Sequence, residues 1–238
     1  MAKYIVNSIV VDTLNAIGDK ILTEHQKKPG HDEWRDFGVS IYTFFTELRR
    51  LGFEIVIILG GFGTGKSYGM KTLTPGEFFW FNADRKNVPW GNKSNAFKEL
   101  YGSINHLKPF QIIPDTYQDI ITVCSALKRG AKMGADEAVL GDTPIAFLLG
   151  HTEEYKGKNG EIKERLKIHG KMATKMNIEG GTNNCLGAEI SRKGSQSSYK
   201  LRTYGDGLDT IRSTEGLFDP LIDNDYEAIR KILVAEAN

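Results

Sequence analysis

The residues with the clearest chemical potential form one glycine-rich segment, Gly60-Gly61-Phe62-Gly63-Thr64-Gly65-Lys66-Ser67. Its glycines allow backbone N–H groups to turn inward around phosphate oxygens. Lys66 can reach the β- and γ-phosphates of a nucleotide, and the hydroxyl of Ser67 can bind Mg²⁺. The segment fits the P-loop pattern G-x-x-x-x-G-K-[ST], so we predict that residues 60–67, with the following Tyr68, bind ATP together with Mg²⁺.

A P-loop site also needs an acidic residue at the end of a neighbouring strand, which holds Mg²⁺ through water. Asp12 follows the apolar run Ile9-Val10-Val11, and Asp115 follows Pro114. Because proline cannot donate to a strand ladder, we expect Asp115 to cap a helix instead. Asp12 is therefore the predicted Mg²⁺ acid and Asp115 the alternative. Asp12 has a second possible role, as the cap of the helix that follows it.

A third polar group, His151-Thr152-Glu153-Glu154, follows the apolar run 145–149. Ligands of open α/β sheets bind outside the carboxyl ends of the strands. We expect Glu153, or Glu154, to act as a catalytic residue that orients the attacking water, and His151 to sense the γ-phosphate. The alternative is an ordinary solvated loop after a strand.

The elements that must position these groups follow from the hydrophobic pattern. Apolar runs predict strands over 4–11, 53–59, 77–82 and 145–149, and helical spacing predicts helices from residue 13, over 41–51, over 66–73 and after Asp115. A polar loop is predicted over 26–38, where Pro29-Gly30 and Gly38 occur. Strands that alternate with helices predict an α/β fold with a mostly parallel central sheet flanked by helices.

Composition excludes several classes of protein. The chain has 238 residues, of which 40% are hydrophobic and 26% charged, so a disordered chain is excluded. The net charge of +1 gives no global field toward nucleic acid or membranes. Cys124 and Cys185 are too few for a disulfide scaffold, which favours a reducing compartment. Because we find neither a long apolar run nor a secretion signal, we expect no membrane association and a cytoplasmic location.

Charge is unevenly distributed along the chain. Residues 156–202 contain eleven Lys or Arg and four Asp or Glu, whereas residues 203–238 contain three basic and eight acidic residues. Clustered cations bind nucleic-acid phosphates with a salt-dependent affinity. The candidate DNA contacts are Lys156, Lys158, Lys163, Arg165, Lys167 and Lys171. The alternative is a solvated basic face in which Glu161 and Glu164 are local partners.

Several segments resemble the phage-encoded RecA-like AAA-type P-loop ATPases, the group that includes the Sak-type single-strand annealing proteins. The matching segments are 60–67, 76–82, 87–90, 147–153, 170–172, 204–207, 211–218 and 222–225. The resemblance implies a RecA-like P-loop NTPase fold with a β-rich basic C-terminal portion. It also implies ATP hydrolysis with Mg²⁺, a homo-oligomer, and action on single-stranded DNA in recombination, annealing or replication within a bacterial host cell.

Arg212 lies in the resembling stretch Ile211–Phe218. It can act in trans on the γ-phosphate of a neighbouring subunit, as arginine fingers do. It can equally be a surface arginine that pairs with Asp209 or Glu215.

One departure from the family concerns the order of segments. In the family, the acid-bearing strand lies between the P-loop and the strand that ends in His-Thr-Glu, whereas here residues 4–52 precede the P-loop. We expect a single domain over 1–238, with a rearranged acid-bearing strand and helices in 1–52, the P-loop core in 53–150, and basic loops, strands and a helix in 151–238. The alternative is that 1–52 is an unrelated addition.

Two other functions fit a P-loop in this chain. A small-molecule kinase would use the basic segment 156–175 as a lid, but such lids usually supply arginines, and lysine dominates here. A nucleotide-binding structural or regulatory protein that does not hydrolyse ATP is favoured by the displaced acidic strand.

Overall fold

The protein, described here from a computed structural model, is defined over residues 2–25, 33–103, 106–107, 109–133, 135–167, 179–193 and 196–237. Its strands are β1 (Lys3–Asp12), β2 (Glu54–Gly60), β3 (Phe78–Asn82), β4 (Gly102–Ser103), β5 (His106–Leu107), β6 (Gln111–Ile112), β7 (Ala131–Met133), β8 (Asp136–Lys156), β9 (Ile162–Leu166), β10 (Asn184–Lys193), β11 (Gln196–Arg202) and β12 (Leu221–Asp223). Its α-helices are α1 (Leu14–His25), α2 (Glu33–Leu51), α3 (Asn95–Tyr101), α4 (Tyr117–Arg129) and α5 (Tyr226–Ala237), and 3₁₀ helices cover Lys66–Thr72 and Glu179–Gly181.

A mostly parallel mixed sheet of ten strands forms the centre of the α/β fold, and helices flank it. Eight strands follow the order β12-β11-β10-β2-β8-β1-β3-β6, with β7 and β9 paired to β8. The pairs from β10 to β6 are parallel, whereas β11 and β12 are antiparallel additions at one edge. The predicted α/β class and parallel sheet are confirmed.

Strand β1 lies in the middle of this sheet. It pairs with β8 on one side and with β3 on the other, so that Asp12 lies beside Leu149 and Asn82. Its residues 9–11 are fully buried, as expected for a parallel strand that is covered on both faces. Although β1 comes before all other strands in the chain, it is part of the same sheet as β2.

The aromatic strand β3 belongs to the core. All four of its aromatic side chains, Phe78, Phe79, Trp80 and Phe81, are buried. This agrees with the pattern-based expectation that they pack in the interior.

Two local predictions are wrong or incomplete. Residues 33–38, predicted as loop, begin α2. Gly38 lies inside that helix because one glycine costs only about 1 kcal/mol, and Phe44, Phe45 and Leu48 of α2 are buried. Residues 26–32 of the predicted loop lie outside the described part of the chain. The helix predicted over 66–73 is a seven-residue 3₁₀ helix, so it supplies a smaller dipole than a full α-helix.

The predicted helix cap at Asp115 is wrong. The hydroxyl of Thr116 accepts a hydrogen bond from the backbone N–H of Asp119, and the Asp119 carboxylate accepts one from the backbone N–H of Thr116, which forms a capping box. Asp115 is largely exposed and pairs with Lys20 at 3.1 Å. It stands one residue too early to satisfy the first turn of α4.

The segment after residue 149 is also more regular than its polarity indicates. Residues 151–154, considered as a loop, continue β8, which forms an antiparallel hairpin with β9. The polar segment thus pairs with a second polar strand, and this pairing satisfies its backbone. In the described residues, no helix is long and apolar enough to cross a membrane.

Candidate functional site

A pocket of about 360 Å³ opens where β2 and β3 end, beside residue 151 of β8. Its walls combine the glycine-rich loop (residues 60–67), the turn after β3 and one aromatic side chain from β11. The lining residues are Phe62, Gly63, Gly65, Lys66, Ser67, Tyr68, Asp84, Lys86, Asn87, Pro89, His151 and Tyr199. Six of the nine residues predicted to bind ATP are among them.

The other three predicted residues shape the glycine-rich loop from within. The Lys66 ammonium donates hydrogen bonds to the carbonyls of Gly60 at 2.7 Å and Gly61 at 2.8 Å. The Thr64 hydroxyl donates to the Gly61 carbonyl at 3.0 Å. These bonds hold the lysine against the loop at the base of the pocket.

Burial makes the Lys66 ammonium easier to deprotonate. The side chain is 5% exposed, and desolvation, followed by repulsion from Lys86, lowers the pKa of Lys66 to about 8. An anion in the pocket would restore the charged form, because it supplies the counter-charge that burial removes. Lys66 is therefore a cation of this pocket that an anionic ligand would stabilise.

Asp12 and Ser67 meet at the end of β1. The Ser67 hydroxyl donates to Asp12 Oδ2 at 2.7 Å, and the Asp12 side chain is fully buried. Burial raises the pKa of Asp12, although Lys86 and Ser67 act in the opposite direction. The proximity expected from the sequence is observed, across 55 residues of chain.

This pair has the donor chemistry of a magnesium site. Hydroxyl and carboxylate oxygens are the ligands that Mg²⁺ prefers, and Mg²⁺ usually keeps water and substrate phosphates as its other ligands. No group of three or more His, Cys, Asp or Glu residues gathers in the described ranges. The residues present thus fit Mg²⁺ bound together with a phosphate ligand rather than alone.

His151 lies above the lysine. Its Nδ1 is 3.2 Å from Lys66 Nζ, and its ring packs on Phe62 with centroids 4.1 Å apart. Desolvation and the charge of Lys66 lower the pKa of His151 to about 4, so the imidazole is neutral at pH 7. In the tautomer that is protonated at Nε2, Nδ1 accepts a hydrogen bond from the Lys66 ammonium, so His151 contacts the cation at the base of the pocket.

The turn after β3 supplies two residues that the sequence argument missed, Asp84 and Lys86. The Thr13 hydroxyl donates to Asp84 Oδ1 at 3.2 Å, and Lys86 Nζ lies 2.7 Å from Asp12 Oδ1 and 3.1 Å from Asp84 Oδ2. Asp84 follows a predicted strand by two residues. The strand-end rule that selected Asp12 therefore selects Asp84 as well.

The C-terminal part of the chain supports the glycine-rich loop. The Asn224 amide donates to the Gly65 carbonyl at 2.6 Å, and the buried Tyr226 hydroxyl donates to the Lys66 carbonyl. Gly65 has φ +89°, and a Cβ there would lie 2.2 Å from the Tyr199 ring. Only glycine fits at this position, because both the backbone conformation and the aromatic ring exclude a side chain.

Other predicted residues lie outside the pocket. The Glu153 carboxylate accepts hydrogen bonds from Arg165 Nε at 3.0 Å and from Arg165 Nη2 at 2.8 Å. Neither Glu153 nor Glu154 lines the pocket. Asp115 does not line it either. The Arg212 guanidinium donates to the backbone carbonyl of Thr182 in the same chain at 2.9 Å.

The candidate DNA contacts belong mainly to the β8–β9 hairpin (residues 151–167). Lys156 and Lys158 are exposed at its tip. Lys163 pairs with Glu161 at 3.2 Å, which agrees with the alternative of a solvated basic face in which Glu161 is a local partner. Arg165 pairs with Glu153 at 2.8 Å. The backbone N–H of Lys167 donates to the His151 carbonyl at 2.7 Å. Lys171 lies outside the described residues.

Comparison with known proteins adds no relative. A scan of protein-family models, a search of curated proteins and a search of solved structures each found no match to this chain. What the pocket can do is given by its own chemistry: two cations, one carboxylate and a serine hydroxyl line it beside the glycine-rich loop, and the buried Asp12 lies behind that serine.

Proposed function

We propose that this protein is a P-loop ATPase that binds ATP with Mg²⁺ at the pocket formed by the glycine-rich loop. The observation that carries the proposal is the 2.7 Å hydrogen bond between Ser67 and the buried Asp12, beside the buried Lys66. These are the three groups that a P-loop site requires. They come from distant parts of the chain, and the fold brings them to one edge of the sheet.

A RecA-like arrangement of the sheet is part of this proposal. The resemblance requires the acid-bearing strand to build the same sheet as the P-loop strand. In support, β8 lies between β2 and β1 and is parallel to both, with Gly60 paired to His151 and Asp12 paired to Leu149, two residues before His151. A segment moved in the chain can keep its place in a sheet, because strand neighbours need not follow chain order.

Each residue has a distinct task in the proposed reaction. Lys66 and the backbone N–H groups of the loop would neutralise the charge on the phosphates, and Ser67 and Asp12 would hold Mg²⁺, Asp12 through water. Mg²⁺, when bound, supplies Lewis-acid stabilisation of the phosphate oxygens. His151 contacts Lys66 and is placed to sense whether the terminal phosphate is present.

Asp84 is the carboxylate best placed to orient the attacking water. It lines the pocket, and Thr13 and Lys86 fix its position. Glu153, the residue preferred from the sequence, is held by Arg165 instead. In-line attack needs a positioned acceptor for the proton of water, which a fixed carboxylate in the pocket provides.

Strand β8, which carries His151, supports a role on single-stranded DNA. Beyond His151, β8 continues into the β8–β9 hairpin, whose tip carries the exposed Lys156 and Lys158. Exposed lysines bind phosphates of nucleic acid. A contact of DNA with the tip can therefore be transmitted to the pocket through one continuous strand.

We also propose a homo-oligomer in which Arg212 acts on the γ-phosphate bound by a neighbouring subunit.

The first test is phosphate release from ATP with and without single-stranded DNA. We expect Mg²⁺-dependent release that DNA stimulates, and we expect Lys66→Ala to lower it by about 100-fold or more, because the phosphate charge loses its main partner. Release that is unchanged in Lys66→Ala would contradict the proposal.

Two matched substitutions separate the carboxylates. Asp84→Asn should lower turnover by about 100-fold or more while ATP binding is retained, because only the water-orienting group is lost. Glu153→Gln should change turnover by less than about threefold, because its carboxylate is bound to Arg165 outside the pocket. The measurements are steady-state phosphate release and equilibrium binding of ATP. The reverse order of effects would return the role to Glu153.

A non-hydrolysing nucleotide-binding regulator is the second candidate. It is favoured by the engagement of Glu153 with Arg165, which leaves the predicted carboxylate occupied. This alternative predicts tight ATP binding and no phosphate release in the wild-type protein. It also predicts that Asp84→Asn changes neither phosphate release nor ATP binding.

A further inference from the structure

Lys86 lies between two carboxylates on the wall of the pocket. Its ammonium is 2.7 Å from Asp12 Oδ1 and 3.1 Å from Asp84 Oδ2, and the side chain is 34% exposed. It lines the same space as Lys66 and Ser67. The site thus contains a second cation, which the P-loop pattern does not include.

The turn that carries Lys86 is rigidly built. The side chain of the fully buried Asn82 accepts from the backbone N–H of Lys86 at 3.0 Å and donates to its carbonyl at 2.8 Å. Between them, Arg85 has φ +53°, which is uncommon for a residue with a side chain. Such a conformation persists where its surroundings fix it, often at ligand sites. The conformation of this turn therefore positions Lys86 at the pocket.

The carboxylate of Asp12 has both oxygens engaged. Oδ2 accepts the hydrogen bond of Ser67, and Oδ1 pairs with Lys86. The Lys86 ammonium therefore has two carboxylate partners, Asp12 and Asp84. A metal cation approaching Asp12 alone would be repelled by this ammonium. A bound triphosphate offers Lys86 new negative partners in the same pocket.

We propose that Lys86 is a resident cation, which neutralises Asp12 and Asp84 in the nucleotide-free protein and turns to the phosphates when nucleotide and metal bind together. This inference rests on the proposed function. It makes Lys86 a second phosphate ligand, and it makes metal binding dependent on nucleotide. The nucleotide-free protein then binds divalent cations poorly, because Asp12 already has a counter-ion.

The decisive experiment is a titration of the nucleotide-free protein with Mn²⁺, followed by electron paramagnetic resonance. We expect Lys86→Met to bind Mn²⁺ about tenfold more tightly than the wild-type protein or better, because removal of a nearby like charge favours the cation. Lys231→Met is the matched control, since Lys231 pairs with Glu227 at 3.6 Å outside the pocket. Equal Mn²⁺ affinity in Lys86→Met and the wild-type protein would overturn the proposal.

A second measurement follows ATP binding in the absence of metal. Lys86→Met should weaken it by about tenfold or more, whereas Lys86→Arg, which keeps the charge, should stay within about threefold of the wild-type protein. If Lys86→Met does not fold, Lys86→Gln takes its place in both experiments. Unchanged ATP affinity in the uncharged variants would contradict the role as a phosphate ligand.

The two arms distinguish this inference from the proposed function. The Mn²⁺ titration contains no nucleotide, so it judges Lys86 even if ATP does not bind. Failure of Lys66→Ala to change ATP binding would sink the proposed function and leave the Mn²⁺ result standing.

Discussion

Asp12→Asn should lower Mg²⁺-dependent ATP turnover by about 100-fold or more, which corresponds to about 2.7 kcal/mol of transition-state stabilisation. The asparagine keeps the size of the side chain and the acceptor for Ser67, but it loses the charge that would hold the water shell of the metal. ATP binding without metal should be retained. The measurement is phosphate release over a range of Mg²⁺ concentrations, together with a binding titration in chelator.

Asp115→Asn is the matched control for this substitution. Asp115 is the alternative acid from the sequence, and its exposed carboxylate pairs with Lys20. We expect its turnover to stay within about twofold of the wild-type value, because a surface pair contributes little. A thermal melt of both variants checks that they are folded. Turnover of Asp12→Asn close to the wild-type value, or a large loss in Asp115→Asn, would contradict the assignment of the acid.

Tyr226→Ala should be the most destabilising single change at the site. The Tyr226 ring is fully buried, stacks on Phe147 with centroids 4.5 Å apart, and its hydroxyl donates to the Lys66 carbonyl. Removal of a large buried aromatic side chain costs about 3–5 kcal/mol. The cavity would lie directly beneath the glycine-rich loop, so ATP binding should weaken as well. Urea unfolding and an ATP titration measure the two effects.

A second substitution of Tyr226 separates packing from hydrogen bonding, and a substitution of Tyr42 serves as a surface control. Tyr226→Phe keeps the stacking and loses only the bond to the Lys66 carbonyl, so it should cost about 1–2 kcal/mol. Tyr42→Ala is the surface control: the ring of Tyr42 is 75% exposed, and its loss should change the free energy of unfolding by at most about 0.5 kcal/mol. Equal stability of Tyr226→Ala and Tyr42→Ala would show that the loop does not depend on this support.

The glycine-rich loop and Asp12 are predictable from the sequence because each is marked locally. A short motif carries the first, and an apolar run that ends in an acid carries the second. The strand-end rule extends to Asp84, two residues beyond β3. The rule does not bring Glu153 into the pocket, because β8 does not end at residue 149 but continues into a hairpin, where Arg165 of β9 binds the carboxylate.

Other features of the site leave no local signal. Tyr199 reaches Gly65 from β11, and Asn224 binds the Gly65 carbonyl from a segment 159 residues further along the chain. Contacts at such separation depend on the order of strands in the sheet, and neither periodicity nor motif spacing encodes that order. The cap of α4 leaves an ambiguous local signal: Asp115 and Thr116 are adjacent and both are common N-cap residues, and only the geometry of the first turn selects Thr116.

The central position of β1 has a consequence for synthesis of the chain. Asp12 is made early, but its neighbours in the sheet, Asn82 and Leu149, follow much later. At ribosomal speeds of about 5–20 residues per second, the interval before Leu149 emerges is on the order of ten seconds. Until then β1 lacks β8, its partner on one side, and an apolar strand with an unpaired edge is the kind of segment that chaperones bind. The loop contacts of Asn224 and Tyr226 form later still, so the glycine-rich loop gains this support only after the strands of the central sheet have been made.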